Sequence, residues 1–446
     1  MMVLVRGWAT IGYAMAAVLS LPACIMDEEL VDGTFTQAEW TRVQTFSPLS
    51  SPPPSPTNRF ADDDRAAAFG QRMFFEKRFS GPISVVGPGV PGAPGETGKY
   101  SCASCHDTGR WFIDTRSQPN SVSYGAGQIT KRNSPSMVNI AYYTWGGWGG
   151  AQDQFWKQGA NAPESKDLLG DRLGVAHVIF DYYASDYNTT FGAVTGTLDP
   201  SLGAAGPDPS RFPAHGKPKA KPTDPDGAWE GMTDADRLHV STIMANLGKA
   251  FEAYERRLVS GESPFDAFVA GDFSAISASA KRGVKLFIGK AGCEACHQGQ
   301  TFTDQKFHNT AVAQPGNDLG QFEDVSRLFN EFNGAGRFSD DPVAGAEKLA
   351  GIAQDESMRG RFRTKSLRQI AETGPYFHDG SVATLDEVIR HYNKGGASAG
   401  YPGTKDELLV PLNLTEGEIA DLVAFLQSLT GQPVPQELAL DTSAPE

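Results

Sequence analysis

Apolar residues recur at helical spacing in several stretches of the chain, and few stretches alternate in the manner of strands. Asp62 to Arg78 opens on three aspartates and then places Ala66, Phe69, Met73 and Phe74 on one face. Residues 168–191, Met232 to Leu258, Ala278 to Phe287, Leu385 to Tyr392 and Thr415 to Leu429 show the same period. Between them lie Gly/Pro-rich loops at 81–98, 198–230 and 315–345. The pattern predicts an all-α fold of two helical domains with long loop insertions.

The N-terminal segment reads differently. Arg6 is followed by a mostly apolar run from Ile11 to Leu21, ending in Leu21-Pro22-Ala23-Cys24. This is the pattern of a signal peptide over residues 1–23, with Cys24 in the place of a lipidated first residue. The run is short for a membrane span. Residues 24–58 contain the Pro/Ser-rich run Ser47 to Pro56 and read as a tether. The expected division is then 59–258 for a first domain, 259–435 for a second and 436–446 for a tail. An exported protein, held in the periplasm through Cys24, is the expected location.

The chain has 446 residues and a formal net charge of −14. That balance excludes nucleic acid as a natural partner, because phosphate backbones select basic surfaces. It suits a small, basic redox protein.

The cysteines carry the chemistry. Of the five, four form two copies of one motif: Cys102-Ala-Ser-Cys105-His106 and Cys293-Glu-Ala-Cys296-His297. Cys-x-x-Cys-His is the attachment signature of a c-type haem. Two thiols add to the haem vinyl groups, and the adjacent imidazole is placed under the iron. Disulfides would fit an oxidising compartment, but they do not explain a histidine at the same place twice. Two covalent haems are therefore expected, held by Cys102, Cys105 and His106 and by Cys293, Cys296 and His297.

These motifs, with Arg132-Asn-Ser-Pro135 after the first and Pro375-Tyr-Phe-His-Asp-Gly380 after the second, resemble the bacterial dihaem cytochrome c peroxidase and MauG superfamily. Leu286-Phe-Ile-Gly, Phe302 to Asn309 and Arg363-Thr-Lys-Ser-Leu-Arg368 extend the resemblance over roughly Phe60 to Gly431. It implies that hydrogen peroxide meets the first haem while the second relays electrons from a small cytochrome c or cupredoxin. It also implies roles for particular residues. Trp148 stands where the family has an inter-haem tryptophan, and Tyr392 where peroxidases carry a methionine ligand and the MauG-like branch a tyrosine. His391 and Met358 are alternative ligands. Gln158 matches a distal glutamine. The distal glutamate that should follow aligns with Leu168, which cannot move a proton, so Asp167 or Glu164 would have to substitute. The stretch Ser121 to Gln128 lacks the family's distal histidine, which leaves the first iron open or within reach of Tyr124. Asn133, Thr373 and Pro375 match a calcium site built from oxygen ligands. His378 is expected near the second haem, bonded to a propionate or to backbone. A homodimer is compatible with the resemblance. Three activities follow from it: a peroxidase, a MauG-like oxidase of a partner protein favoured by Tyr392, or a non-enzymatic carrier or sensor favoured by Leu168.

Overall fold

The computed structural model describes residues 30–116, 123–314 and 316–444, together with Met1. The leader, Cys24, Ser121 and Val122 lie outside the described residues. Among the described residues the helices are α1 (Gln37–Val43), α2 (Asp64–Phe75), α3 (Phe155–Asn161), α4 (Arg172–Thr195), α5 (Asp234–Glu255), α6 (Pro264–Val269), α7 (Ala278–Ile288), α8 (Gln321–Asp324), α9 (Pro342–Leu349), α10 (Leu385–Asn393) and α11 (Glu416–Gln427). The two short strands β1 (Phe307–His308) and β2 (Phe362–Arg363) pair antiparallel, Phe307 opposite Arg363. The protein is mostly helical with little sheet, and no helix among the described residues is long and apolar enough to cross a membrane.

Local chemistry sets the helix starts. Asp63 accepts from the backbone N–H groups of Arg65 and Ala66 at the head of α2, and Ser277 caps α7. Thr384/Glu387 and Thr415/Glu418 form capping boxes on α10 and α11. The buried faces then pair in two equivalent ways. α2 crosses α5, and α7 crosses α11. Each crossing turns on a glycine: a Cβ on Gly70 would lie 2.0 Å from the Ala250 carbonyl oxygen, and one on Gly283 would lie 2.1 Å from that of Asp421. Only glycine lets the backbones approach this closely.

Two large hydrophobic cores result among the described residues. One gathers Phe69, Phe74, Trp156, Ile179, Phe251 and Tyr254. The other gathers Phe265, Phe287, Phe302, Leu422 and Phe425. The halves meet through two equivalent turns. Asn139 and Gln369, both left-handed (φ 63° and 58°), each begin a short 3-10 turn. The Asn139 Nδ2 donates to Gln369 Oε1 at 3.0 Å, and both side chains donate to Ser260 Oγ.

Three segments depart from the sequence reading. Within 24–58, residues 31–46 are packed. Thr36 and Glu39 form a capping box on α1, and Phe35, Trp40, Val43 and Phe46 are buried in the second core. Phe46 stacks on Phe302, centroids 5.0 Å apart. Burying a large apolar side chain contributes about 2 kcal/mol, which outweighs the entropy of the adjoining Pro/Ser run. The tail is docked as well, on the opposite half. Tyr254 donates to the Leu438 carbonyl at 2.5 Å and Gln71 to that of Glu437 at 2.7 Å. Each of these two segments thus lies against the half remote from it in sequence. Helix α9 also forms inside the expected loop 315–345, capped by Asp341 with Pro342 at its start.

Candidate redox sites

Both Cys-x-x-Cys-His motifs follow a helix of the crossing pairs and adopt the same turn. His106 Nδ1 faces the Phe112 carbonyl at 3.0 Å, and His297 Nδ1 faces the Phe302 carbonyl at 2.9 Å. A carbonyl only accepts, so Nδ1 carries the proton and Nε2 keeps its lone pair. Burial lowers both imidazole pKa values, which favours the neutral form a metal needs. The four cysteines are free. Burial pushes the Cys102, Cys105 and Cys293 thiols up to about 12.

The second motif opens on a cavity of about 300 Å³ lined by Cys293, Cys296, His297 and Tyr392, and also by Arg363 and Lys365. The residues lining this cavity fit a haem. Tyr392 is pushed up in pKa, first by burial and then by the thiols of Cys293 and Cys296. Its phenol therefore belongs to the same site as the attachment residues. Arg363 has no partner for Nε or Nη1, both buried. Burial lowers its pKa to about 10 and moves that of Lys365 well down. Two buried basic groups against a cavity, one of them with unpartnered donors, suit an anionic occupant, and haem propionates are anions. Neither alternative ligand lines the cavity: His391 Nε2 donates to the Thr310 carbonyl at 2.7 Å, and Met358 packs near Val325, Leu328 and Leu349.

Trp148 belongs to the N-terminal half but lines this same cavity. Its Nε1 donates to the Asn133 carbonyl at 2.8 Å, and Lys365 Nζ lies 4.4 Å from its ring centroid. Arg363 stacks on Tyr143 at 3.6 Å. His378 also lines the cavity, but its Nε2 meets Gln314 Oε1 at 2.7 Å and its ring stacks on Phe362. Asn133 is 5% exposed, and its Oδ1 is buried without a partner. Its Nδ2 donates to the Pro375 carbonyl at 2.9 Å. Asn133, Thr373 and Pro375 line one cavity, and an orphaned oxygen beside a carbonyl is what an oxygen-liganded cation would use.

Around the first motif, Arg116 Nη2 donates to Cys105 Sγ at 3.1 Å and to Asp114 Oδ2 at 2.7 Å. Asp167 lies close enough to act on both Cys105 and His106, and its Oδ1 accepts from Gln128 Nε2 at 2.7 Å. Glu164 is committed elsewhere, since both of its oxygens accept from Arg172 at 3.1 and 2.9 Å. Leu168 is packed with Ile83, Tyr100 and Ala126. Gln158, on α3, points its Oε1 at Gly146, at the base of the loop that carries Trp148. Tyr124 lies over Gly87, where a Cβ would sit 2.2 Å from its Cε1.

Sequence reading missed several of these groups. Arg363 and Lys365 are two apart in an extended segment, so they share a face, and that spacing was the available signal. His308 lies in the Phe302 to Asn309 stretch but carried no expected role. It is held between Asp304 Oδ2 at 2.9 Å and Asp406 Oδ2 at 2.6 Å, and it groups with Cys296 and Asp304. Hydrogen bonding with Cys296, and then with the two aspartates, pushes it up to about 10 against burial. The Asp304/His308 spacing of four was its signal.

A mostly helical protein that repeats one Cys-x-x-Cys-His turn in its two halves, with a tryptophan of the first half lining the cavity of the second, has the make-up of a two-centre redox protein. The family model for di-haem cytochrome c peroxidases matches residues 64–206. The chain is 32% identical to the cytochrome-c peroxidase IdrP1 of Denitromonas iodatirespirans, over 86% of this chain and 87% of that one. It is 31% identical to the methylamine utilization protein MauG of Methylorubrum extorquens, over 82% and 78%. A solved MauG-like protein associated with microbial copper homeostasis superposes with a TM-score of 0.60 at 26% identity, covering 88% of this chain and 97% of that one. The chain belongs to the dihaem cytochrome c peroxidase and MauG family.

Proposed function

We propose that the protein is a dihaem c-type oxidoreductase that reduces hydrogen peroxide at the N-terminal haem with electrons relayed from the C-terminal haem. Residues 59–258 and 259–435 form its two haem domains. The observation that carries this reading is Trp148: it lines the second cavity while its indole N–H is held by Asn133 of the first half. When bound, the haems supply iron that exchanges single electrons and meets peroxide. The chain's residues do the rest. Cys102 and Cys105, and Cys293 and Cys296, attach the groups. His106 and His297 would hold the iron through Nε2, and Tyr392 would be a second ligand in the C-terminal site. Arg363 and Lys365 neutralise propionates. Asp167, oriented by Gln128, takes the proton-transfer role that Leu168 cannot fill, and Gln158 keeps the role of the distal glutamine. Glu164, tied to Arg172, does not share that role.

Leu408 and Val410 line the second cavity and are more than half exposed, at 57% and 52%, so they stand at its mouth. They offer an apolar contact for a small electron-donor protein, and the net charge of −14 favours a basic one. Asn133, Thr373 and Pro375 hold calcium at the junction of the halves. The protein is exported to the periplasm and anchored through Cys24.

Tyr392 favours a second reading, a MauG-like oxidase of a partner protein. A phenolate donor stabilises oxidised iron where a thioether stabilises reduced iron. Stopped-flow absorption of the diferric holoprotein with one equivalent of hydrogen peroxide tests both. A fast spectral change discharged by a reduced small cytochrome supports the peroxidase. A fast change indifferent to that cytochrome supports the oxidase. No fast change refutes peroxide chemistry.

A further inference from the structure

A second cavity, of about 220 Å³, lies beneath the Pro53–Thr57 segment, with Glu252, Glu255 and Asp153 in its walls. Glu255 ends α5. It is 4% exposed, and its Oε2 is buried with no hydrogen-bond partner. The neighbouring charges are all engaged elsewhere. Arg256 turns to Asp62 at 2.9 Å and to the Pro53 carbonyl at 2.7 Å. Lys348 is held by the Thr144 and Asp153 carbonyls. Lys157 faces Asp153 at 3.4 Å, and Lys249 faces Asp340 at 2.7 Å. Glu252, one turn earlier on α5 and also 4% exposed, accepts from Asn58 at 3.0 Å. The nearest groups left to Glu255 are thus a second carboxyl, Tyr254 and Cys102.

An ionised carboxylate with no partner, buried beside another, costs several kcal/mol. A cation could relieve that cost, but these acids do not converge as metal ligands. Among the described residues only Cys296, Asp304 and His308 do so. A proton is the remaining neutraliser, and a cavity of this size, with Glu252, Glu255 and Asp153 in its walls, has room for the water that would carry it. The position is also apt. Glu255 lies within electrostatic reach of Cys102, the first attachment residue. Tyr143 lines both this cavity and that of the second motif.

We propose that Glu255, with its cavity, is the proton-loading site of the first haem: the carboxyl takes up a proton from water when that haem gains an electron and releases it when the electron leaves. This rests on the dihaem reading and deepens it. Peroxide reduction consumes two electrons, supplied by the reduced donor protein, and two protons, supplied by water, to give two waters. One of those protons passes through Glu255. The physical reason is mutual: an added electron nearby raises the affinity of a buried carboxyl for a proton, and the bound proton raises the potential of the haem.

Spectroelectrochemical titration of the first haem in the holoprotein, repeated across pH, tests this without any peroxide turnover. The wild type is expected to lose up to about 59 mV per pH unit, a tenfold change per unit for a one-electron couple. Glu255→Gln is expected to flatten that slope. Glu255→Asp restores it at a displaced pH. Infrared difference spectra between the redox states should show a protonated-carboxyl carbonyl band that Glu255→Gln removes. Equal slopes in wild type and Glu255→Gln overturn the proposal, as does the absence of such a band from the wild type. If Glu255→Gln fails to fold, the wild-type slope and band together with Glu255→Asp decide the matter. A pH-linked potential in a protein inert to peroxide would reject peroxidase activity and leave the proton-loading site standing.

Discussion

Trp148 and His378 occupy equivalent places in the two halves and face each other edge-on, ring centroids 6.5 Å apart. Each sits in a short loop closed by a bridge, Gly146 to Gln152 in one half and Tyr376 to Val382 in the other. The backbone carbonyl of each accepts from the opposite half: Asn133 N–H donates to His378 at 2.8 Å, and Arg363 N–H donates to Trp148 at 2.8 Å. The junction between the redox sites is therefore built on a duplicated loop. In one copy an indole fills the central position, and in the other an imidazole.

Trp148→Phe keeps an aromatic ring but loses the Nε1 bond to Asn133 and the indole's lower oxidation potential. Electron passage between the two haems is expected to slow by roughly tenfold or more, about 1.4 kcal/mol of barrier. Photoreduction of one haem followed by transient absorption of the other measures it. An unchanged rate would mean the electrons take another route.

Tyr392→Met exchanges a hard anionic oxygen for a thioether in a site where the residue is buried beside Cys293 and Cys296. The second haem's potential is expected to rise, because thioether ligation favours ferrous iron. Potentiometric titration reads the shift. A potential that does not move would show that the phenol is not a ligand.

Calcium rests on Asn133. Its buried Oδ1 lacks a partner, so added Ca²⁺ is expected to raise the wild-type melting temperature, by about 2.7 kcal/mol of linkage at one hundred times Kd. In Asn133→Ala that gain should vanish. A Tm indifferent to calcium and to chelator in the wild type would reject the site.

The attachment motifs and the main crossing helices were legible because their signals are local. A Cys-x-x-Cys-His spacing and a helical period each fall within one short window. α1 was hidden because Phe35, Trp40, Val43 and Phe46 precede a Pro/Ser run that dominates the local composition, and their partners lie more than two hundred residues away. The cations that face the second cavity were hidden for a related reason. Arg363 and Lys365 look like surface residues until the fold brings Tyr143 and Trp148 against them.

The Asp266–Arg368 pair ties the docked N-terminal segment to the second core, and its pH dependence can be worked out. Both oxygens of Asp266 accept from Arg368 at 2.9 Å, and the two side chains are 6% and 1% exposed. Arg368 also donates to the Phe46 carbonyl at 3.2 Å, and Ser47 Oγ donates to Asp266 at 2.7 Å. Burial alone would raise the Asp266 pKa, but the Arg368 bonds and charge hold it at about 2. The folded value lies below the unfolded one, so the stabilisation is fully present above about pH 4 and is lost as pH falls through about 2. Its size is about 2 kcal/mol. Asp266→Ala removes it and strands a buried guanidinium, so a loss of about 3–5 kcal/mol is expected at neutral pH. The double variant Asp266→Ala/Arg368→Leu should recover part of that loss, because no unpaired charge remains inside. Denaturant unfolding of the three proteins at pH 7 and pH 3 measures both effects. A single variant as stable as the wild type, or a double variant worse than the single, would show that the pair does not anchor the segment.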